Sequence, residues 1–258
     1  MERHRTKYCL VIMRTCIGII CIGEEYLKEF EETFKPSVVK YAERHGYDLK
    51  IFTDFLDSEN TDGNCISFQK CLVPSALSEY DTVVVMDADI WMTDSAPRVP
   101  SCEKIGIVDE MTQVPISAYK SFWWTTLPKD YYSLGNFTID TDKLLNTGFM
   151  VCKPKDHAKF LKDVYDKYIR SSPGNPRKFH YEQTCLGYEL QTQNMFEPLS
   201  NAWNFIYAMN KIGKIPFPRD VYGVHFAGVN PYYIRRLELG VYLSTQTTKS
   251  VFRWGIRK

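Results

Sequence analysis

The segment Thr82-Val-Val-Val-Met86 is a continuous β-branched apolar run, and it ends at once in Asp87-Ala-Asp89. Such a run suits a strand buried on both faces, and strands of that kind lie in sheets covered by helices. The preceding segments supply those layers. Ile17–Ile22 is a short apolar run closed by Gly23, within a first strand expected over Cys16–Ile22. Glu24–His45 carries Tyr26, Leu27, Phe30, Phe34, Val38 and Tyr41 at three- and four-residue spacing, the apolar stripe of a helix that Gly46 closes. Leu49–Phe52 predicts a second strand, and Cys65–Tyr80 a helix that Pro74 kinks or breaks. This strand–helix alternation predicts a parallel sheet with right-handed crossovers. Ligands of such sheets bind beyond the carboxyl ends of the strands, where Gly23 and Asp87–Asp89 both fall.

Farther along, Ile105–Val108 and Asn146–Cys152 read as strands, and Ala158–Ile169 and Tyr181–Leu190 as helices. Met111–Thr138 is aromatic and rich in turns. No internal repeat or long linker divides the chain. The expectation is one α/β domain over residues 1–258, Rossmann-like, with a mostly parallel central sheet flanked by helices.

Charge narrows the partners. Lys and Arg total 32 against 31 Asp and Glu, a net of +1, so no basic field is present to hold a nucleic-acid backbone. The N-terminus poses a question of its own, because basic Met1–Lys7 precedes apolar Tyr8–Ile22 in the manner of a signal anchor. That run is about 15 residues, short of the roughly 20 a spanning helix needs, and Arg14 interrupts it. A buried strand is the preferred reading, with no integral membrane segment. The eight cysteines form no CxxC pair, and several sit in apolar runs as small hydrophobes. A reducing, cytoplasmic location is expected, the Golgi lumen being the alternative if the N-terminal run is an anchor.

Two carboxylates at a strand tip suit a hard divalent cation such as Mn²⁺ or Mg²⁺. Such a cation bridges a diphosphate and neutralises the charge that builds as it leaves. An acidic turn is the plainer alternative for Asp87 and Asp89. His225, in His225-Phe-Ala-Gly228, could be a third ligand or a satisfied core histidine, and Gly228 would let the backbone approach a phosphate. Asn146-Thr-Gly148 could contact a sugar, and turn chemistry explains it equally well. Glu182-Gln183 could line a sugar pocket or lie on a solvated helix face. Tyr26 could stack on a base or pack within its helix, and Lys70 could reach a diphosphate or be a surface lysine.

Taken in chain order, these residues resemble the GT-A glycosyltransferases, and most of all the family of fungal α-mannosyl/galactosyltransferases and plant xyloglucan xylosyltransferases. Tyr41-Ala-Glu-Arg-His-Gly-Tyr-Asp48 is similar to that family's early helix-to-strand segment, and Phe68-Gln-Lys70-Cys to its lysine before the metal strand. Asp87-Ala-Asp89 matches the DxD motif, Leu145-Asn-Thr-Gly-Phe149 the N-x-G strand, Glu182-Gln183 the helix pair and His225-Phe-Ala-Gly228 the metal-histidine motif. Cys21-Ile-Gly-Glu-Glu-Tyr26 resembles the uridine-binding strand exit of blood-group-type transferases.

The resemblance implies a hexosyl- or pentosyltransferase, metal-dependent and retaining. It would move a sugar from a nucleotide-diphosphate donor, UDP more readily than GDP, to a hydroxyl of a glycan or glycoprotein acceptor. Residues 16–110 would form the nucleotide-binding half and 111–258 the acceptor-binding half. The backbone of Cys21, Ile22 and Gly23 would hold the base with Tyr26, and Asp87, Asn146, Gly148 and Gly228 would complete the donor site. Asp87, Asp89 and His225 would ligate the metal, Lys70 would meet the diphosphate, and Glu182 and Gln183 would face the sugar. In an inverting enzyme Glu182, Asp109 or Glu110 would act as base. Trp123, Trp124, Tyr131 and Tyr132 would form an acceptor platform or a lid, or pack in the core. The chain departs from the pattern in having Val229-Asn-Pro-Tyr where relatives place a lysine, and Glu182 where they place aspartate. One rival, a sugar-1-phosphate nucleotidyltransferase, would carry a Gly-rich, Arg-containing loop that Gly23-Glu-Glu-Tyr26 lacks; the other is a non-catalytic nucleotide-sugar or carbohydrate-binding protein of the same fold.

Overall fold

A computed structural model describes residues 13–62, 66–113, 127–171, 181–208, 220–227, 238–240 and 242–243. Strand β1 (Thr15–Ile20) leads into α1 (Glu24–Glu29), a π turn (Phe30–Phe34) and α2 (Lys35–His45). These three pieces continue one another, since Phe30 and Phe34 at the junctions keep right-handed helical backbone. Gly46 ends the helix with φ 67°, the left-handed conformation that glycine adopts without steric cost. Strand β2 (Asp48–Phe52) follows, then a 3-10 turn (Ser67–Leu72) and the short α3 (Val73–Ala76). The helix expected over Cys65–Tyr80 is thus cut in two, and Pro74 sits in the first turn of α3, where its missing N–H is harmless.

Strand β3 spans Thr82–Met86, as the sequence predicts, and β4 (Ile90–Met92) begins immediately after the two aspartates. The remaining elements are β5 (Ile105–Asp109), α4 (Pro128–Leu134), β6 (Leu145–Cys152), α5 (Pro154–Tyr168), α6 (Tyr181–Thr192), β7 (Phe196–Leu199), β8 (Phe205–Ile206) and β9 (Gly223–His225). The main sheet has the order β2-β1-β3-β6-β5-β7. β1 is parallel to β2 and β3, and β5 to β7, whereas β6 is antiparallel to both β3 and β5. Five strands therefore point one way and β6 the other, so the expected mostly parallel α/β architecture is the one observed.

Every residue of β3 is buried, and its side chains divide between two cores. Val83 and Val85 join Phe68, Val73, Leu161 and Leu186, under α3, α5 and α6. Val84 and Met86 join Phe30, Phe34, Val38 and Tyr41, under the long helix. This two-sided burial is what the unbroken apolar run requires. Tyr131 and Tyr132 are also buried, and both pack in the first core. That corrects the acceptor-platform reading for this pair, because rings enclosed on all sides offer no face to a sugar. Trp123 and Trp124 lie outside the described residues, as does Gly228. Among the described residues, no helix is long and apolar enough to cross a membrane.

Candidate active site

A second, three-stranded sheet of order β4-β9-β8 builds the site. β9 pairs antiparallel with β4 so that His225 lies opposite Ile90, and the Phe226 N–H donates to the Asp89 carbonyl at 3.0 Å. The backbone ladder therefore carries His225 to the tip of β3. His225 Nε2 lies 3.1 Å from Asp89 Oδ1 and 3.8 Å from Asp87 Oδ2. One donor atom from each of Asp87, Asp89 and His225 falls within a set no more than 4.8 Å across, close enough for a single ion.

Lys70 enters from the 3-10 turn ahead of α3. Its ammonium is 2.6 Å from Asp87 Oδ1 and 2.7 Å from Glu182 Oε1, which brings the first turn of α6 into the cluster. Lys70 is buried, so it is not the surface lysine of the bland reading, and Glu182 is buried rather than on a solvated face. Burial opposes the Lys70 charge, but the two carboxylates outweigh it and hold the ammonium above the usual lysine range. Burial likewise pushes Glu182 up, but Lys70 and the Thr147 hydroxyl at 2.7 Å keep its carboxyl below the ordinary range. Burial raises Asp87, against the pull of Lys70 and His225. For His225, burial works against the imidazolium, and the adjacent Asp89 and Asp87 overcome it, so its pKa is raised.

Asn146 and Gly148 lie within β6 and not in a turn that enters it, a correction to the turn reading. Asn146 Oδ1 accepts from the Gly148 N–H at 2.9 Å, and Asn146 Nδ2 donates to Glu110 Oε1 at 2.6 Å. Gly148 has a steric role: a Cβ there would strike His225 Cε1 and lie 2.8 Å from Nδ1. Glu110 Oε1 also accepts from Gln183 Nε2 at 3.1 Å, while Oε2 is buried with no hydrogen-bond partner among the described residues. Burial lifts this carboxyl to about 7. Asp109 is engaged structurally, its Oδ1 accepting from Met111 N and Leu144 N at 3.0 Å each.

The first strand's exit is arranged differently. Cys21 is buried, and its N–H donates to the Phe52 carbonyl at 2.8 Å, so its side chain faces the core. Ile22 is half-buried and Gly23 exposed, with φ 105°. Tyr26 is half-buried and packs on the core under α1 and α2.

Three buried polar residues of the site were not singled out from the sequence. Thr147 holds Glu182, Asn204 holds His225 Nδ1 at 2.8 Å, and Gln113 donates to the Asn204 carbonyl at 2.7 Å. Asn204 alone left a trace, as an amide between Trp203 and the apolar pair Phe205-Ile206.

The donor set fits a divalent cation. With Glu110 neutral and a cation in place of the His225 proton, Asp87, Asp89 and Glu182 set against Lys70 leave two negative charges around an oxygen-rich site with one imidazole nitrogen.

No protein-family model and no curated protein matches the chain. Solved structures do. The chain is similar to a glycosyltransferase involved in the glycosylation of the major capsid of PBCV-1, with a TM-score of 0.58 and 15% identity over 88% of this chain and 99% of that one. It is similar also to the galactosyltransferase LgtC, crystallised with donor and acceptor sugar analogs, at a TM-score of 0.53 and 12% identity over 83% of this chain and 87% of that one. The fold is one that glycosyltransferases use.

Proposed function

We propose that this chain is a metal-dependent glycosyltransferase that moves a sugar from a nucleotide-diphosphate donor, a UDP-sugar, to a hydroxyl of a glycan. The observation that carries the reading is the meeting of Asp87, Asp89 and His225 at the tip of β3, in a fold shared with glycosyltransferases. Asp87, Asp89 and His225 would hold Mn²⁺ or Mg²⁺, which supplies positive charge for the departing diphosphate. Lys70 adds a second, permanently charged group beside it, an electrostatic term of the kind that dominates many enzymes. Glu182, held ionised by Lys70 and Thr147, and Gln183 stand at the start of α6, where they would face the sugar and favour retention. The exposed backbone at Gly23 and the half-buried ring of Tyr26 would receive the base, and the chain after β5 would contribute the acceptor side. The six described cysteines, all buried free thiols, support a cytoplasmic setting.

The test is turnover of a panel of nucleotide sugars with Mn²⁺, read as UDP or GDP release. Slow hydrolysis without acceptor is expected for an enzyme and absent from a lectin of the same fold. Asp89→Ala should abolish release while circular dichroism stays unchanged. Full activity of that variant, or of the wild type in excess EDTA, refutes the metal role.

A further inference from the structure

We infer that Asn204 fixes the tautomer of His225 so that Nε2 presents a bare lone pair to Asp87 and Asp89, and that Asn204 is therefore the positioning residue of this centre. The inference rests on reading the Asp87–Asp89–His225 cluster as a cation site.

The argument follows donors and acceptors outward from one main-chain group. The Gly148 N–H can only donate, and it meets the side-chain amide of Asn146 at 2.9 Å, which identifies that atom as the oxygen. The other amide atom of Asn146 is then its nitrogen, consistent with its 2.6 Å bond to the Glu110 carboxyl. Asn204 reaches the same Asn146 oxygen at 2.7 Å and must do so through its NH₂. Its remaining amide atom is an oxygen, and it lies 2.8 Å from His225 Nδ1. An amide oxygen accepts only, so Nδ1 carries the hydrogen. A neutral imidazole, the form that a cation would meet, has one N–H, so in that form Nε2, 3.1 Å from Asp89 Oδ1, is the unprotonated nitrogen. A lone pair aimed between two carboxylates suits a cation among them. Metal-bound histidines commonly donate their second N–H to an oxygen acceptor, which orients the ring and raises its basicity.

Asn204 is suited to this and to little else. It is 0% exposed, so it touches neither donor nor acceptor. Its main-chain carbonyl is held by Gln113 Nε2 at 2.7 Å, while Gln113 Oε1 takes the Ile206 N–H at 3.0 Å. The backbone that carries the amide is thus pinned by the turn after β5, which also ties down the end of β8, beside the strand that bears His225.

Two measurements test the inference. The first uses metal-free protein labelled with ¹⁵N-histidine, observed by long-range proton–nitrogen correlation above the pH at which the imidazolium deprotonates. The expected pattern is a protonated Nδ1 and an unprotonated Nε2 for His225, and the reverse pattern overturns the inference. The second is a calorimetric Mn²⁺ titration. Asn204→Ala should weaken binding about 10–100-fold, whereas Asn204→Asp, which retains an acceptor for Nδ1–H but turns its second oxygen on Asn146 Oδ1, should lose less than Asn204→Ala. Wild-type affinity in Asn204→Ala overturns the inference. If that variant does not fold, the wild-type spectrum and Asn204→Asp decide, a protonated Nε2 in either protein being the contrary result. A wild type with the expected tautomer but no Mn²⁺ binding leaves the inference standing and refutes the proposed function instead.

Discussion

Replacing Glu110 by glutamine should change the slope of stability against pH. Glu110 is 1% exposed, its Oε1 takes two amide hydrogens, and its Oε2 has no hydrogen-bond partner among the described residues. Burial therefore lifts its carboxyl from 4.5 to about 7. In the unfolded chain the same carboxyl ionises around 4.5. Below that value both states are protonated and the group contributes nothing. Between 4.5 and 7 the unfolded state has released its proton and the folded state has not, so stability falls as pH rises. Above 7 the whole penalty is present. The interval from 4.5 to about 7 is about 2.5 pH units, and at about 1.4 kcal/mol each this gives roughly 3 kcal/mol. Glutamine keeps the acceptor for Asn146 and Gln183 and cannot ionise. Its new NH₂ lies where Oε2 has no partner, which costs about 1–3 kcal/mol at every pH. Urea unfolding of both proteins from about pH 4.5 to about pH 8 checks this, since the stability of Glu110→Gln relative to wild type should climb by roughly 3 kcal/mol. Taking the difference cancels the titrating groups that do not sense the Glu110 charge. A flat difference across that range would refute the reasoning.

Gly148→Ala should push the His225 ring off its seat, because the new methyl lies 2.8 Å from Nδ1. Calorimetry should show Mn²⁺ binding lost, with an overpacking cost of about 1–3 kcal/mol in a denaturation curve. Lys70→Met strands the buried Glu182 carboxylate and removes the counter-charge of Asp87, so unfolding should require about 3–5 kcal/mol less. Part of that loss should return in acid, as Glu182 takes up a proton, and chemical denaturation at two pH values reads both effects.

Local patterns made much of this legible before any coordinates. The apolar run of β3, the spaced aromatics of the first helix and the Asp87-Ala-Asp89 step are each contained in a few neighbouring residues. The direction of β6 is not, because an apolar strand reads the same whether it pairs parallel or antiparallel. The 3-10 geometry around Lys70 is hidden for a similar reason, since its apolar spacing also fits a helix that Pro74 only bends. Lys70, Glu182 and His225 were named from motifs, but their burial and mutual contacts arise from three separate elements closing on one strand tip. Asn204, Gln113 and Thr147 escaped because a buried polar side chain betrays itself only through its partners, and theirs are distant in the chain.

The ladder between β4 and β9 has a consequence for the order of events in the cell. Both aspartates leave the ribosome long before His225 does, and the strand that delivers the imidazole is the last of the described strands. A nascent chain ending short of β9 would hold an incomplete ligand set. Tight capture of the ion would thus mark the closing stage of folding, so a half-made protein would not compete for the metal.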